Sequence, residues 1–143
     1  MLARYSRCAT GVDNDSAVID FARRHNAASG ALFVQGTFPE TAESHWRFDC
    51  IFCVETMEHI PYEKQAAFID AALGMLKPDG RMFITTPNES SASPPHVGVW
   101  TEAKVAELVA RLGEHIVKRG WFSNSQPVGM LDTPSTHHAW VLR

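Results

Sequence analysis

The sequence predicts an α/β fold: a doubly wound, mostly parallel sheet closed by an antiparallel C-terminal hairpin. Three observations predict it. Short apolar runs alternate with segments whose apolar residues recur at helical spacing, the pattern of parallel strands joined by helical crossovers. One of those runs, Phe48 to Val54, is apolar on both faces, as for a central strand covered from both sides. The last two β-like runs, His115 to Phe122 and Thr136 to Leu142, follow one another without an intervening helix, which suits an antiparallel pair at the sheet edge.

The elements follow in order. Cys8 to Val12 is a short apolar run ending at Asp13, and Asp15 or Ser16 can cap the helix behind it, because a short polar side chain there accepts from the orphan N–H groups of the first turn. That helix carries Val18, Phe21, Ala22 and His25 as its stripe. Ala31 to Gln35 is the second strand, followed by the turn-like Gly36 to Pro39, and Phe48 to Val54 is the third. A helix beginning near Glu63 presents Ile69, Ala72, Leu73 and Leu76, and Pro78 and Gly80 stop it. Arg81 to Thr86 is the fourth strand, closed by Pro87. After a Ser/Pro-rich loop from Glu89 to Pro95, Thr101 caps a helix with Val105, Leu108, Val109 and Leu112 on one face, ended by Gly113.

The chain has 143 residues, enough for one core and short of the length at which a second domain is expected, so a single domain over 1–143 is the expectation. A net charge of −3 gives no basic field, so nucleic acid is not implied by charge. No run approaches the roughly 18 apolar residues of a membrane span, and the N-terminus lacks an apolar signal core. A cytoplasmic location and no membrane partner are therefore expected. Three cysteines argue against a disulfide framework. Cys50 and Cys53 form a C-x-x-C, but residues three apart on a strand face opposite sides, so both are expected to be small core hydrophobes.

In open α/β sheets ligands sit at the carboxyl ends of the strands. Asp13, Gly36 to Phe38, Glu55 to His59 and Thr86 to Asn88 are those places, and the chemically suggestive residues gather there. His137 and His138 are adjacent on a strand, point to opposite faces, and are expected to be structural. Trp46, Trp100, Trp121 and Trp140 are spread along the chain as packing residues, Trp100 also being a candidate wall of a substrate pocket.

Together, ATGVDND, FVQGTFPE, FDCIFCVETMEHIP, LGMLKPDGRMFITTPN and HVGVWTEAKVAELV resemble successive segments of class I S-adenosylmethionine-dependent methyltransferases, from Ala9 to about Gly113. The specific part is the succession of a strand, E-x-x-E-H-I-P, a helix, L-K-P-D-G and a strand ending in T-P-N. The resemblance implies a Rossmann-like sheet, S-adenosylmethionine as cofactor, and methyl transfer to an unidentified small-molecule or nucleic-acid acceptor. It implies that Asp13, Asn14, Thr37, Phe38 and Val54 bind the cofactor, with Asp13 accepting from both ribose hydroxyls; where many relatives carry an Asp, this chain has Thr37. It makes Glu55 and His59 the candidate catalytic residues, with His59 in the pKa range of a proton acceptor.

Other readings stay open. Glu55, Glu58, His59 and His96 resemble the two-Glu, two-His magnesium site of small-RNA 2′-O-methyltransferases, but magnesium prefers oxygen ligands, and the expectation is no metal. Complete members of the family open with a strand and a G-x-G-x-G loop, so that segment is expected upstream of Met1, whose run to Arg7 resembles the end of the helix that follows it. Without that strand two inner sheet edges stand unpaired, and a second copy or another partner would cover them. The chain would then be either an enzyme completed upstream or a shortened, non-catalytic binding or assembly module. A nicotinamide-dependent enzyme shares the strand-end acid but neither the terminal hairpin nor the E-x-x-E-H segment.

Overall fold

Two strand–helix–strand crossovers form the framework of the computed structural model, which describes residues 6–27, 30–88, 95–122 and 137–143. They fall in two compact units, Met1–Trp46 and Arg47–Arg143. The expected helical tail at the N-terminus lies outside the described residues up to Tyr5, as do 89–94 of the Ser/Pro-rich loop and 123–136 of the loop between the last two strands.

In the first unit, β1 (Thr10–Asp13) pairs in parallel with β2 (Leu32–Gln35), Thr10 opposite Leu32 and Asp13 opposite Gln35. Between them runs α1 (Ser16–His25), whose N-cap Asp15 accepts from the Ala17 N–H at 2.7 Å. The stripe of α1 differs from expectation. Ile19 is the buried residue, whereas Val18, Phe21 and His25 are exposed, and Phe21 stacks on His25 with ring centroids 3.8 Å apart. The helix is turned so that Ile19 and Ala22 lie inward. Arg23, one turn after Ile19, reaches across to donate to the Phe33 carbonyl at 2.8 Å.

The second unit is a four-stranded mixed sheet in the order β3-β4-β6-β5. β3 (Phe48–Val54) is parallel to β4 (Leu76–Pro87), with α2 (Tyr62–Gly74) as their crossover. β6 (His137–Leu142) then lies antiparallel between β4 and β5 (Ile116–Phe122), which is the expected terminal hairpin. The core joins Ile69 and Ala72 of α2, Met82 and Ile84 of β4, Trp140 and Leu142 of β6, and Leu108 and Leu112 of α3 (Glu102–Leu112). Each such buried Leu, Ile or Met side chain contributes about 1.5–3 kcal/mol. Thr101 caps α3 by accepting from the Lys104 N–H at 3.0 Å, and Gly113 ends it at φ 42°, a conformation that favours glycine.

Three expectations are corrected here. β3 is not buried on both faces: among the described residues it pairs only with β4, and Phe52 and Val54 are 46% and 57% exposed while Cys53 is 4% exposed. Cys50 accordingly lies exposed rather than in the core, on the face opposite Cys53. The L-K-P-D-G segment, expected to end a helix running to Leu76, belongs instead to β4. α2 stops at Gly74, Leu76 pairs with Phe48, and the regular register resumes only at Cys50 and Arg81, so Lys77 to Gly80 bulge outward. A bulge accommodates Pro78, which has no N–H for the ladder, and it needs Gly80, where a Cβ would come within 2.9 Å of the Phe48 carbonyl oxygen.

Candidate functional site

In the first unit the expected cofactor-binding residues stand at strand ends. Asp13 closes β1, half-buried, and its Oδ1 accepts from the Asp15 N–H at 2.9 Å. This Asx turn fixes the carboxylate and starts the loop into α1, so the turn role and the ligand role can coexist in one side chain. Asn14 follows, exposed. After β2, the Gly36 N–H donates to the Asp13 carbonyl at 2.9 Å, and a Cβ on Gly36 would sit 2.0 Å from Thr41 Oγ1, so only glycine fits. The Thr37 carbonyl accepts from Thr41 N–H at 2.9 Å and Thr41 Oγ1 at 3.0 Å, which leaves the Thr37 side chain exposed beside a half-buried Phe38.

An oriented carboxylate offers two acceptor oxygens to the two hydroxyls of a vicinal diol, and an apolar ring beside a turn suits a flat heteroaromatic base. These residues fit an adenosine-containing cofactor.

In the second unit the residues leaving β3 divide into two groups. Val54 ends the strand, exposed. Glu55 follows at φ 50°, a left-handed conformation that costs a non-glycine residue of order 1–3 kcal/mol. Its N–H continues the ladder to the Thr85 carbonyl at 3.0 Å. Its carboxylate is held twice: Oε1 accepts from Thr85 Oγ1 at 2.8 Å, and Oε2 lies 3.1 Å from Nε2 of the buried His137.

The second group begins in a 3-10 turn, Met57–His59. Glu58 is 1% exposed, and its Oε2 accepts from Thr86 Oγ1 at 3.1 Å. His59 is half exposed, its Nε2 3.9 Å from Glu58 Oε1, and its ring meets His96 edge-on with centroids 5.0 Å apart. One ligand atom from each of Glu58, His59 and His96 lies within 4.8 Å of the others. Glu55 is not in that set. The four residues expected as one group are thus divided, Glu55 being drawn to β4 and β6.

Gln65, a residue that sequence reasoning missed, holds this second group together. Buried on α2, it donates through Nε2 to the carbonyls of Met57, Ile60 and Gly98 at 2.9, 3.0 and 2.6 Å, and its Oε1 accepts from Trp100 Nε1 at 3.1 Å. The N–H groups of Val97 and Gly98 in turn donate to the Glu58 carbonyl at 2.8 and 2.9 Å, and the Tyr62 hydroxyl donates to the Val99 carbonyl. The one available signal was a glutamine at i−4 from Ile69, on the inward stripe of α2.

Trp100 is 1% exposed and packed on Trp140 at 5.0 Å, so it is a core residue and not a pocket wall. His137 and His138 part as expected, the first to Glu55 and the second toward Trp100, where burial lowers its pKa. The role of His137 beside Glu55 was missed, because nothing local ties residue 137 to residue 55. Burial pushes the Cys53 thiol up to about 12, leaving it an inert core group.

The fold is that of solved methyltransferases. A S-adenosylmethionine-dependent methyltransferase from Clostridium acetobutylicum superposes with a TM-score of 0.77 at 9% identity, over 99% of this chain and 77% of the other. The N-methyltransferase NodS from Bradyrhizobium japonicum gives 0.74 at 17% identity, over 99% and 76%. The sequence profile of the methyltransferase-domain family matches residues 3–140, and the chain belongs to this family, as a class I S-adenosylmethionine-dependent methyltransferase domain. Among curated relatives, the ubiquinone biosynthesis O-methyltransferase of Xylella fastidiosa is 37% identical over 95 residues, covering 64% of this chain and 38% of the relative. That of Yersinia enterocolitica is 31% identical over 138 residues, covering 92% and 53%. The chain thus spans about two fifths to half of the length of these relatives. Among the described residues, no helix is long and apolar enough to cross a membrane.

Proposed function

We propose that this domain transfers a methyl group from S-adenosylmethionine to a hydroxyl oxygen of a small organic acceptor. The observation that carries the reading is the half-exposed His59 imidazole beside the buried Glu58 carboxylate, immediately after the strand whose end bears Glu55. The O-methyltransferase relatives support oxygen as the methyl acceptor.

When bound, S-adenosylmethionine supplies a sulfonium methyl that an oxygen nucleophile attacks in line. Asp13 would accept from the ribose hydroxyls, with Asn14, Thr37 and Phe38 contributing to cofactor binding. A neutral hydroxyl is a poor nucleophile, and His59, open to solvent on one side, would take its proton at a ring nitrogen as the new bond forms. The carboxylate of buried Glu58 lies 3.9 Å from His59 Nε2, beyond a hydrogen bond. Glu55 would accept a hydrogen bond from the acceptor and fix its orientation, which matters because methyl transfer is governed by alignment.

Asp13→Ala should weaken S-adenosylhomocysteine binding by about 1.5–3 kcal/mol, the range for a hydrogen bond to a charged group. Isothermal calorimetry on the two proteins measures it, and equal affinities would remove Asp13 from the cofactor site.

A further inference from the structure

We infer that His137 is a positioning residue for the transfer reaction: it clamps the Glu55 carboxylate from β6 while Thr85 clamps it from β4. This rests on the role proposed above for Glu55, and three independent observations carry it.

The first is conformational. Glu55 is the one described non-glycine residue with positive φ, 50°, so its backbone sits in a sparsely populated region that surrounding contacts must enforce. The second is the completeness of the clamp. One carboxylate oxygen takes the Thr85 hydroxyl at 2.8 Å and the other takes His137 Nε2 at 3.1 Å, so both carboxylate oxygens are engaged and the torsions of a long side chain are fixed. The third is the contrast in burial across the pair. The His137 side chain is 10% exposed and that of Glu55 41%, so the clamp is anchored inside the unit and the clamped carboxylate is presented to solvent. A purely structural ion pair has no need of an exposed, conformationally strained partner at a strand's carboxyl end. A carboxylate that must meet an incoming hydroxyl at a fixed angle does, because flexible carboxylates lose alignment and alignment is what the reaction requires.

β6 acquires a purpose here beyond completing the sheet. His137 is its first residue, opposite Pro87 of β4.

The test compares three variants with the wild-type protein. Product S-adenosylhomocysteine is measured with S-adenosylmethionine and four acceptor probes: a catechol, a primary alcohol, a primary amine and a thiol. Glu55→Gln tests the underlying role. His137→Leu removes the clamp, and His137→Gln keeps an N–H donor at the Nε2 position without an imidazole. The expected result is loss of transfer in Glu55→Gln and a fall of about 10- to 100-fold in kcat for His137→Leu. The KM for S-adenosylmethionine should stay within a factor of two or so of wild type, and His137→Gln should restore most of the rate. Recovery by glutamine separates positioning from bulk packing, which an amide in place of an imidazole would not repair.

Full activity in His137→Leu while Glu55→Gln is inactive would overturn the inference and leave the role of Glu55 standing. Should His137→Leu fail to fold, failure of the folded His137→Gln to exceed the rate of an equally folded His137→Ala would overturn it as well. Full activity in Glu55→Gln removes Glu55 from the reaction and the inference with it. A wild-type protein inert toward all four probes overturns the proposed function and this inference together.

Discussion

Glu58 lies inside the protein, where a lone carboxylate would be costly, and Thr86 Oγ1 at 3.1 Å offsets part of that cost. Its two histidine neighbours, His59 and His96, bring ligand atoms within 4.8 Å, so this is the place where a cation would bind if one does. The composition of the cluster decides which. One carboxylate and two imidazoles form a nitrogen-rich set, and the second carboxylate that a hard cation needs, Glu55, is occupied by Thr85 and His137. Magnesium and manganese favour oxygen ligands, so neither should be retained. Elemental analysis of the purified protein should find less than about a tenth of an equivalent of either, and transfer should survive chelation; one equivalent retained, with activity lost in chelator, would overturn this expectation. The strand-end position of Glu55, Glu58 and His59 was legible from the sequence, because a run of apolar residues followed by charged ones marks where a buried strand meets its ligand edge. Their division into two groups was not, since it depends on Thr85 and His137, distant in sequence and ordinary in type.

α2 shows the same limit one scale up. Its apolar spacing is plain in the sequence, and Ile69 and Ala72 are buried as expected, but the inward position one turn earlier is Gln65. A polar residue in an apolar stripe reads as an interruption until its partners are known. Here they are the carbonyls of Met57, Ile60 and Gly98 and the Trp100 indole, the last two lying 33 and 35 residues away. The start of β4 was misread for a related reason: Pro78 and Gly80 signal a break, and a bulge within a strand satisfies that signal as well as a helix terminus does. α3 was read correctly because its cap, stripe and terminal glycine are all local. The hub at Gln65 predicts a sharp glycine requirement. A Cβ on Gly98 would fall 2.0 Å from the Ile60 carbonyl oxygen and 2.4 Å from Gln65 Nε2, so Gly98→Ala must displace either the turn or the loop bearing His96. Thermal or denaturant unfolding should show a loss of about 1–3 kcal/mol. Gly74→Ala is the control, since nothing lies within 4 Å of a Cβ there, and it should be neutral or slightly stabilising.

Across the whole molecule, hydrogen bonding and burial are unevenly distributed. In the second unit β4 and β6 are each paired on both sides, and the buried residues of α2, α3 and β6 join those of β4 in one core. The first unit, among its described residues, has one two-stranded parallel pair, one helix, and Ile19 as its one buried aliphatic. A pair of strands with so little apolar burial is marginal in water, and the parallel pairing is slightly weaker per residue than the antiparallel kind. Local opening therefore costs less in the first unit than in the second, even though the first carries Asp13, Thr37 and Phe38. Native-state hydrogen exchange read by mass spectrometry should rank the strands accordingly. The amides of Met82 to Thr86 and Ala139 to Leu142 should be slowest, β3 and β5 intermediate as sheet edges, and Thr10 to Asp13 with Leu32 to Gln35 fastest. Saturating S-adenosylhomocysteine should slow exchange in the first unit, because ligand bound to the ordered state adds RT ln(1 + [L]/Kd) to the cost of opening it. Protection of β1 and β2 equal to that of β4 in the unliganded protein would mean that the first unit draws its stability from contacts other than its own strands and helix.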